Sequence, residues 1–400
     1  MVSSLIENNI INTFKYILKN ILMENVKFTD LKITKIEIFN LSVPLKKPFT
    51  ISLGVERNAR NTAIKIHTDQ DGLYGVGEAS PTSFITGDTQ ESNFVMAKML
   101  ARLIIGKNPL EIEDRLYELN RELKFNPPIL CAFDMALYDI LGKYTNMPLY
   151  ALWGGKNDRV ITTDMTIGIS TPEEMAKEAL EFKNAGFPAI KIKLGEGTKI
   201  DVERIKAIRK AIGMDIPIRI DANQGWDTVT AINTLNQLAK YDIEHCEEPI
   251  PRWNNSDLAV VKSKSPIPIM ADESVFNHYD AFRLASMKAC DYFNIKLAKA
   301  GGLNNALKII SIAESAGIKS QVGCMVETRL SLTALTHLVV ARKNIVHFDI
   351  DSALFLSEDP VIGGITYGDN GSVFLPDTAG LGADFDQDYL DKLEKAIIDV

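Results

Sequence analysis

Five charged residues recur along this chain at nearly equal intervals, and each of them closes a short apolar run. The intervals between them are 28, 26, 25 and 24 residues, which suits one strand, one helix and two loops. A charged residue at the end of each successive parallel strand is typical of the active-site face of a (β/α)8 barrel. The sequence therefore predicts an α/β fold of this class. The five residues are Lys193, Asp221, Glu247, Asp272 and Lys296.

Alternation of strand-like and helix-like segments begins after residue 155 and supports the same fold. Counted around the ring, Lys193 lies on strand 2 and Lys296 on strand 6. The two ammonium groups are therefore expected to face each other across the barrel. We predict barrel strands at 161–167, 188–194, 216–221, 243–247, 267–272, 291–296, 319–324 and 345–350.

The residues before the barrel follow a different pattern. Strand-like alternation at 31–80 is interrupted by a KKPF segment and a hairpin signal at Asp71-Gly72, and helical spacing follows. Strands followed by helices describe an α+β domain. We predict an N-terminal extension at 1–28, a capping domain at 29–154, the barrel at 155–362 and a C-terminal segment at 363–400 that returns to the capping domain.

The predicted extension is apolar with interspersed lysines and lacks the order of charges and the cleavage site of a signal peptide. We expect it to be poorly ordered; a membrane-surface or oligomer-contact helix is the alternative. The net charge of −8, without a basic stripe, argues against nucleic acid. The four scattered cysteines are typical of a reduced, cytoplasmic protein. No apolar run approaches the roughly 20 residues of a membrane span. We also expect a homo-oligomer.

Three of the five charges offer a metal site. Asp221, Glu247 and Asp272 supply hard oxygen ligands with little histidine nearby, which favours Mg²⁺, or Mn²⁺ as the alternative, over zinc. Acids at strand ends also cap helices or pair with lysines. Three acids in phase on the catalytic face of a barrel favour the metal.

Lysines provide candidate bases. Lys191 and Lys193 form a K-x-K pair on one strand, so both side chains point the same way. An ammonium in apolar surroundings beside a second ammonium has a lowered pKa and can act as a general base. Lys296 has similar apolar neighbours, and a salt bridge to Asp272 is its alternative interpretation.

A D-x-D pair, Asp349 and Asp351, closes the last predicted strand. Adjacent carboxylates repel each other and need a cation. Solvated acids or a spare metal site are the alternatives. If the three other acids hold the metal, the remaining cation is an ammonium group on the substrate.

Together these motifs resemble the enolase superfamily, in its muconate lactonizing subgroup, and within it the dipeptide epimerases of the L-Ala-D/L-Glu kind. The similarity runs from about residue 31 to residue 382. The KIK motif, the spaced Asp/Glu/Asp acids and the NIK lysine are specific for the subgroup. The D-x-D pair implies a dipeptide, because its family role is to hold the substrate α-ammonium. The matching motifs include KPF, ITGD, KIK (191–193), DANQGW (221–226), EEP (247–249), MADESVF (270–276), NIKLAKAGG (294–302) and DID (349–351).

The resemblance implies a metal-dependent isomerase that inverts the α-carbon of the C-terminal residue of an L-Ala-L-Xaa dipeptide. The implied reaction is a two-base proton transfer through an ene-diolate with one Mg²⁺ per subunit. Lys193 and Lys296 would act on opposite faces, and Lys191 would help to hold the carboxylate and depress the pKa of Lys193. The resemblance also implies pocket walls at Thr166, Cys324 and Met325.

One position departs from the family pattern. The Ala-Glu enzymes bind the glutamate side chain with an arginine after the KPF motif, and simple alignment places Gly54 there. We expect Arg57 or Arg60 to replace it, which makes L-Ala-L-Glu the first expectation for the substrate. If both arginines face solvent, an apolar second residue is expected instead.

Other members of the subgroup are alternatives to a dipeptide epimerase. An N-acylamino acid racemase, an o-succinylbenzoate synthase or a muconate cycloisomerase would keep the metal and the lysines but would not need a D-x-D pair that binds an ammonium. A non-catalytic small-molecule binding protein is a remote alternative. It would lack a ligand or a base, and the sequence lacks neither.

Overall fold

The computed structural model describes residues 30–400, so the predicted extension at 1–28 lies outside the described residues. The first described unit is an antiparallel sheet covered by helices. Its elements are β1 (Ile33–Ile51), β2 (Gly54–Thr68), β3 (Tyr74–Ala79), α1 (Gln90–Ile104), α2 (Ile112–Glu122), α3 (Pro127–Tyr144) and α4 (Leu149–Leu152).

Two local features fix the shape of this sheet. β1 runs through the KKPF segment, where the sequence predicted a break, with a register shift between Pro44 and Phe49. Such an irregularity accommodates prolines, which cannot donate a ladder hydrogen bond. At the edge strand β3, α3 packs so closely that a Cβ on Gly77 would lie 1.9 Å from Ala132 O. Glycine is therefore required there.

Eight parallel strands in sequential order form the second sheet. They are β4 (Met165–Ile167), β5 (Ile190–Lys193), β6 (Ile218–Asp221), β7 (Ile243–Glu247), β8 (Ile269–Ala271), β9 (Tyr292–Ile295), β10 (Lys319–Val322) and β11 (Ile345–Phe348). The helices between them are α5 (Pro172–Asn184), α6 (Thr198–Ile212), α7 (Thr228–Leu238), α8 (Asn255–Lys264), α9 (His278–Met287), α10 (Leu297–Ala300), α11 (Leu303–Ala316) and α12 (Arg329–Ala341).

The two edges of the eight-stranded sheet meet, because Asp164 N donates to Phe348 O at 3.2 Å. The predicted fold class is thus confirmed. Every strand of this sheet except β7 is shorter than predicted, and the two at its edges differ most in what replaces them. Residues before β4 pair instead with the C-terminal segment, where Thr163 N donates to Gly371 O at 2.8 Å. β11 ends at Phe348, so the D-x-D pair lies just beyond its strand.

The C-terminal segment connects the two units. The elements of this segment are β12 (Val361–Gly363), β13 (Thr366–Tyr367), β14 (Val373–Phe374), β15 (Ala383–Phe385), α13 (Gln387–Leu390) and β16 (Lys395–Asp399). Two small antiparallel pairs, β12 with β15 and β13 with β14, precede β16, which pairs with β1 through Ile398 opposite Ile36. The last strand thus becomes the fourth strand of the first sheet. Within residues 30–400, no helix is both long and apolar enough to cross a membrane.

Candidate active site

The five regularly spaced charges meet at one end of the barrel. Lys193, Asp221 and Glu247 are the last residues of β5, β6 and β7, while Asp272 and Lys296 follow β8 and β9 directly. All five are buried. The parallel direction of the strands brings their carboxyl ends to one face, which is the face that carries catalytic groups in barrel enzymes.

The three acids form a compact cluster. One oxygen each from Asp221, Glu247 and Asp272 lies within 4.8 Å of the others, and all three side chains are buried. Neither carboxylate oxygen of Asp272 has a well-aligned hydrogen-bond donor. Converging buried carboxylates need cations, and an all-oxygen donor set suits Mg²⁺. The residues present therefore fit such an ion.

Lysine side chains surround these acids. Lys191 Nζ lies 2.8 Å from carboxylate oxygens of Glu247 and Asp349, and 3.5 Å from one of Asp221. Lys193 Nζ lies 2.6 Å from Asp221 Oδ2. The alternative interpretation of Lys296, an ion pair with Asp272, is present as well, with its Nζ 2.9 Å from Asp272 Oδ2.

The electrostatics of Lys191 differ from the expectation of mutually repelling ammonium groups. Burial alone would lower the pKa of Lys191, but the carboxylates of Asp349, Glu247 and Asp221 outweigh burial and raise it well above its ordinary value. Burial likewise opposes the charged form of Lys296, yet Asp272 and Glu247 raise its pKa. In this arrangement the acids decide the balance, because they are closer and more numerous than the neighbouring ammonium groups.

The D-x-D pair is divided between two environments. Burial would raise the pKa of Asp349, but Lys191 and Lys296 hold it below its ordinary value. Asp351 accepts a hydrogen bond from Thr166 N at 2.8 Å, and within residues 30–400 it forms no salt bridge. Burial and the Asp349 carboxylate raise the pKa of Asp351 well above its ordinary value. The partners of Asp351 within residues 30–400 are therefore neutral groups.

A cleft of about 680 Å³, open solvent included, lies above this cluster. We call its charged base, formed by the three lysines and the D-x-D pair, the floor. The pocket walls expected from the family resemblance are also among its lining residues. The predicted side chains that line the cleft together are Lys191, Lys193, Lys296, Asp349, Asp351, Thr166, Cys324 and Met325.

The capping side of the cleft, which we call the roof, comes from β1, β2 and the loop after β3. Its members are mostly apolar. They are Leu45, Phe49, Ile51, Glu56, Thr82, Phe84 and Ile85.

The structure does not place Arg57 or Arg60 at the cleft, where the sequence led us to expect them. Both are exposed, and neither lines the cleft. Arg60 Nη2 is 2.5 Å from Glu91 Oε1 instead. Successive side chains of a strand point to opposite faces, so β2 turns Glu56 towards the cleft and its neighbour Arg57 away.

Several residues beside the floor were missed by sequence reasoning. Lys299 Nζ lies 2.5 Å from Asp272 Oδ1, and Asn294 Nδ2 donates to Glu247 Oε1 at 2.8 Å. Gln321 Nε2 donates to the other oxygen of Glu247 at 3.3 Å. Asn294 was detectable, because it lies two residues before Lys296 and shares its face of the strand. Gln321 carried no such signal.

Comparison with known proteins connects this geometry to a family. Residues 33–154 match the mandelate racemase/muconate lactonizing enzyme N-terminal domain, and residues 174–389 match the enolase C-terminal domain-like family. The L-Ala-D/L-Glu epimerase of Clostridium acetobutylicum is 41% identical over 88% of this chain and 98% of its own length. The D-Ala-D/L-Ala epimerase of Cytophaga hutchinsonii is 44% identical over 92% of this chain and 99% of its own length.

A solved structure extends the similarity to three dimensions. The dipeptide epimerase from Cytophaga hutchinsonii, complexed with Mg and the dipeptide D-Ala-L-Val, superimposes with a TM-score of 0.91. It is 44% identical, and the match covers 92% of this chain and 100% of that one. The two family matches together span most of the chain, and the relatives match over nearly their full length. The chain therefore belongs to the mandelate racemase/muconate lactonizing enzyme family of enolase-like proteins.

Proposed function

We propose that this chain is a metal-dependent dipeptide epimerase, an isomerase that inverts the α-carbon of the C-terminal residue of an L,L-dipeptide. The observation that carries the proposal is the floor of the cleft. Lysines from β5 and from the end of β9, four strands apart in a ring of eight, reach one cleft. The cleft also contains the buried Asp351, which forms no salt bridge with any described residue. The Mg- and dipeptide-bound relative from Cytophaga hutchinsonii supports the same conclusion.

Asp221, Glu247 and Asp272 would hold one Mg²⁺, with Mn²⁺ as the alternative. When bound, the ion supplies positive charge that stabilises the negative charge arising as an α-proton leaves a carboxylate-bearing carbon. Lys191, which contacts two of these acids, would help to orient the substrate carboxylate.

The proton transfer is assigned to the two facing lysines. One of Lys193 and Lys296 in its neutral form accepts the α-proton at Nζ, and the other, as an ammonium, donates a proton to the opposite face. A single base would return the proton to the face from which it came. The placement of the two side chains on opposite strands supports this division.

The substrate ammonium is assigned to the D-x-D pair. Lys191 already satisfies Asp349, whereas Asp351 lacks a cationic partner among the described residues. A dipeptide supplies that cation, and an N-acylated amino acid does not. The buried Asp351 carboxylate therefore favours a dipeptide over the N-acylamino acid alternative.

The test is incubation with Mg²⁺ and a mixed L,L-dipeptide library in D2O, read by mass spectrometry and chiral chromatography. We expect deuterium at the α-carbon of the C-terminal residue and formation of the L,D epimer. An N-acetylated copy of each active dipeptide is the matched control. Equal turnover of the acetylated compounds would replace the dipeptide assignment by the acylamino acid one. No exchange with either set would reject both.

Two further proposals concern the setting of the protein. A cytoplasmic location is supported by four cysteines that are free in the structure. A homo-oligomer is the expected assembly, and light scattering coupled to size exclusion would measure it. A monomeric mass would reject the second proposal.

A further inference from the structure

We propose that the cleft selects dipeptides whose C-terminal side chain is apolar, rather than glutamate. This inference rests on the proposed function and names the substrate class of the same site. It comes from the turn between β1 and β2, residues 51–54, and from the ring that packs on that turn.

The turn is fixed above one half of the floor. Ser52 Oγ lies 2.9 Å from both Ala222 O and Asn223 O, within donating distance of each. These residues directly follow Asp221 at the end of β6. Ile51, on the same turn, lines the cleft together with Lys193. The turn thus lies on the side of the cleft where Lys193 would act, and its neighbours would contact the side chain on the reacting carbon.

A phenyl ring packs on Gly54, the position where the family resemblance led us to expect an arginine. A Cβ built on Gly54 would lie 2.9 Å from Cε1 and 3.2 Å from Cδ1 of Phe84. No side chain fits at this position unless Phe84 moves. Phe84 itself lines the cleft beside Phe49 and Ile85, so the roof offers carbon surface in place of a cation.

The charge of the roof points the same way. Among the described residues that line the roof, Glu56 alone carries a formal charge. Burial raises its pKa, although Arg60 opposes that rise. Ionised, Glu56 would repel a glutamate side chain; protonated, it would still supply no cation. A carboxylate would therefore lose its water without gaining a partner, whereas an apolar side chain gains from burial.

The main experiment compares kcat/KM for epimerization of L-Ala-L-Leu, L-Ala-L-Glu and L-Ala-L-Lys with Mg²⁺. We expect the leucine compound to exceed the other two by at least about 30-fold. Equal or better turnover of the glutamate compound overturns the inference, and so does a preference for lysine, which would mean that Glu56 recruits a cation. Failure of all three to epimerize or to exchange deuterium would instead count against the proposed function.

Variants test whether the turn and the ring cause the selection. The double variant Gly54→Arg with Phe84→Ala supplies a cation and the space for it, and should shift the Glu/Leu ratio of kcat/KM by at least about 30-fold towards glutamate. Phe84→Leu, which keeps an apolar wall, is the matched control and should preserve the leucine preference. If the double variant fails to fold by circular dichroism, Glu56→Gln serves instead, and its Glu/Leu ratio should rise several-fold. An unchanged ratio in the folded variant overturns the inference.

Discussion

The floor and the roof of the cleft are built by opposite means. The floor and the acid cluster beneath it form one network of buried charges. In this network the single Lys191 ammonium lies within 3.5 Å of carboxylate oxygens of Asp221, Glu247 and Asp349. The roof consists mainly of aromatic and aliphatic side chains from the capping unit. Under the proposed function, the barrel would supply the charge chemistry that every substrate needs, and the cap would supply the contacts that distinguish substrates.

This difference predicts different responses to substitution. Removing one member of a buried charge network leaves its partners uncompensated, which is costly whatever the substrate. Removing an apolar or hydrogen-bonding contact in the roof costs a graded amount, which depends on the side chain bound beneath it.

The largest effect is expected at the acid cluster. Glu247→Gln removes one carboxylate while keeping the size of the side chain, and should lower kcat/KM by at least roughly 10⁴-fold because the metal and Lys191 both lose charge compensation. Calorimetry should show loss of Mg²⁺ binding. Glu244→Gln is the control on the same strand, since Glu244 lies at the other end of β7 and pairs with Arg219 at 2.7 Å. Near-normal activity of Glu247→Gln would remove it from the metal set.

Replacing either of the facing lysines should abolish epimerization but leave deuterium exchange on one epimer. Lys296→Ala should reduce epimerization by at least about 10³-fold, as expected when a general acid or base is lost. Deuterium exchange through Lys193 should persist on one epimer only. Lys193→Ala should show the reciprocal pattern, so each variant controls the other. Undiminished epimerization by either variant would contradict the two-base scheme.

A smaller loss is expected at the D-x-D pair. Asp351→Asn should lower kcat/KM for dipeptides by roughly 10²-fold, because the substrate ammonium loses a buried counter-charge. Any residual turnover of the N-acetylated dipeptide should be unaffected, since that compound has no ammonium. An equal loss on both compounds would mean that Asp351 serves the fold and not the substrate.

Behind the floor, Asn294 should tune the metal without taking part in proton transfer. Its amide donates to Glu247 at 2.8 Å, and outer partners of metal ligands typically contribute 10- to 100-fold in affinity. Asn294→Ala should therefore weaken Mg²⁺ binding by roughly 10- to 100-fold, and saturating Mg²⁺ should largely restore kcat. Low kcat at saturating Mg²⁺, with unchanged affinity, would contradict this role.

The contrast also explains what could be predicted from the sequence. The fold class and the charged strand ends were recognisable because a charged residue after an apolar run stands out, and because strand spacing converts into position around a ring. The pKa direction of Lys191 was not, since it depends on Asp349, which is 158 residues away in the chain. The roof was missed for a similar reason. Phe84 meets Gly54 only after folding, and the orientation of Arg57 depends on the phase of β2.

The smallest effect is expected where the roof is attached to the barrel. Ser52→Ala removes the hydroxyl that lies 2.9 Å from Ala222 O and Asn223 O. A hydrogen bond of this kind contributes about 0.5–1.5 kcal/mol to stability. We expect KM to rise about 5-fold with kcat nearly unchanged, because the turn covers the substrate but touches no reacting atom. Ser83→Ala, at an exposed position in the loop after β3, is the control. It should change neither KM nor kcat. A large fall in kcat for Ser52→Ala would extend the catalytic machinery from the floor into the roof and would break the division between them.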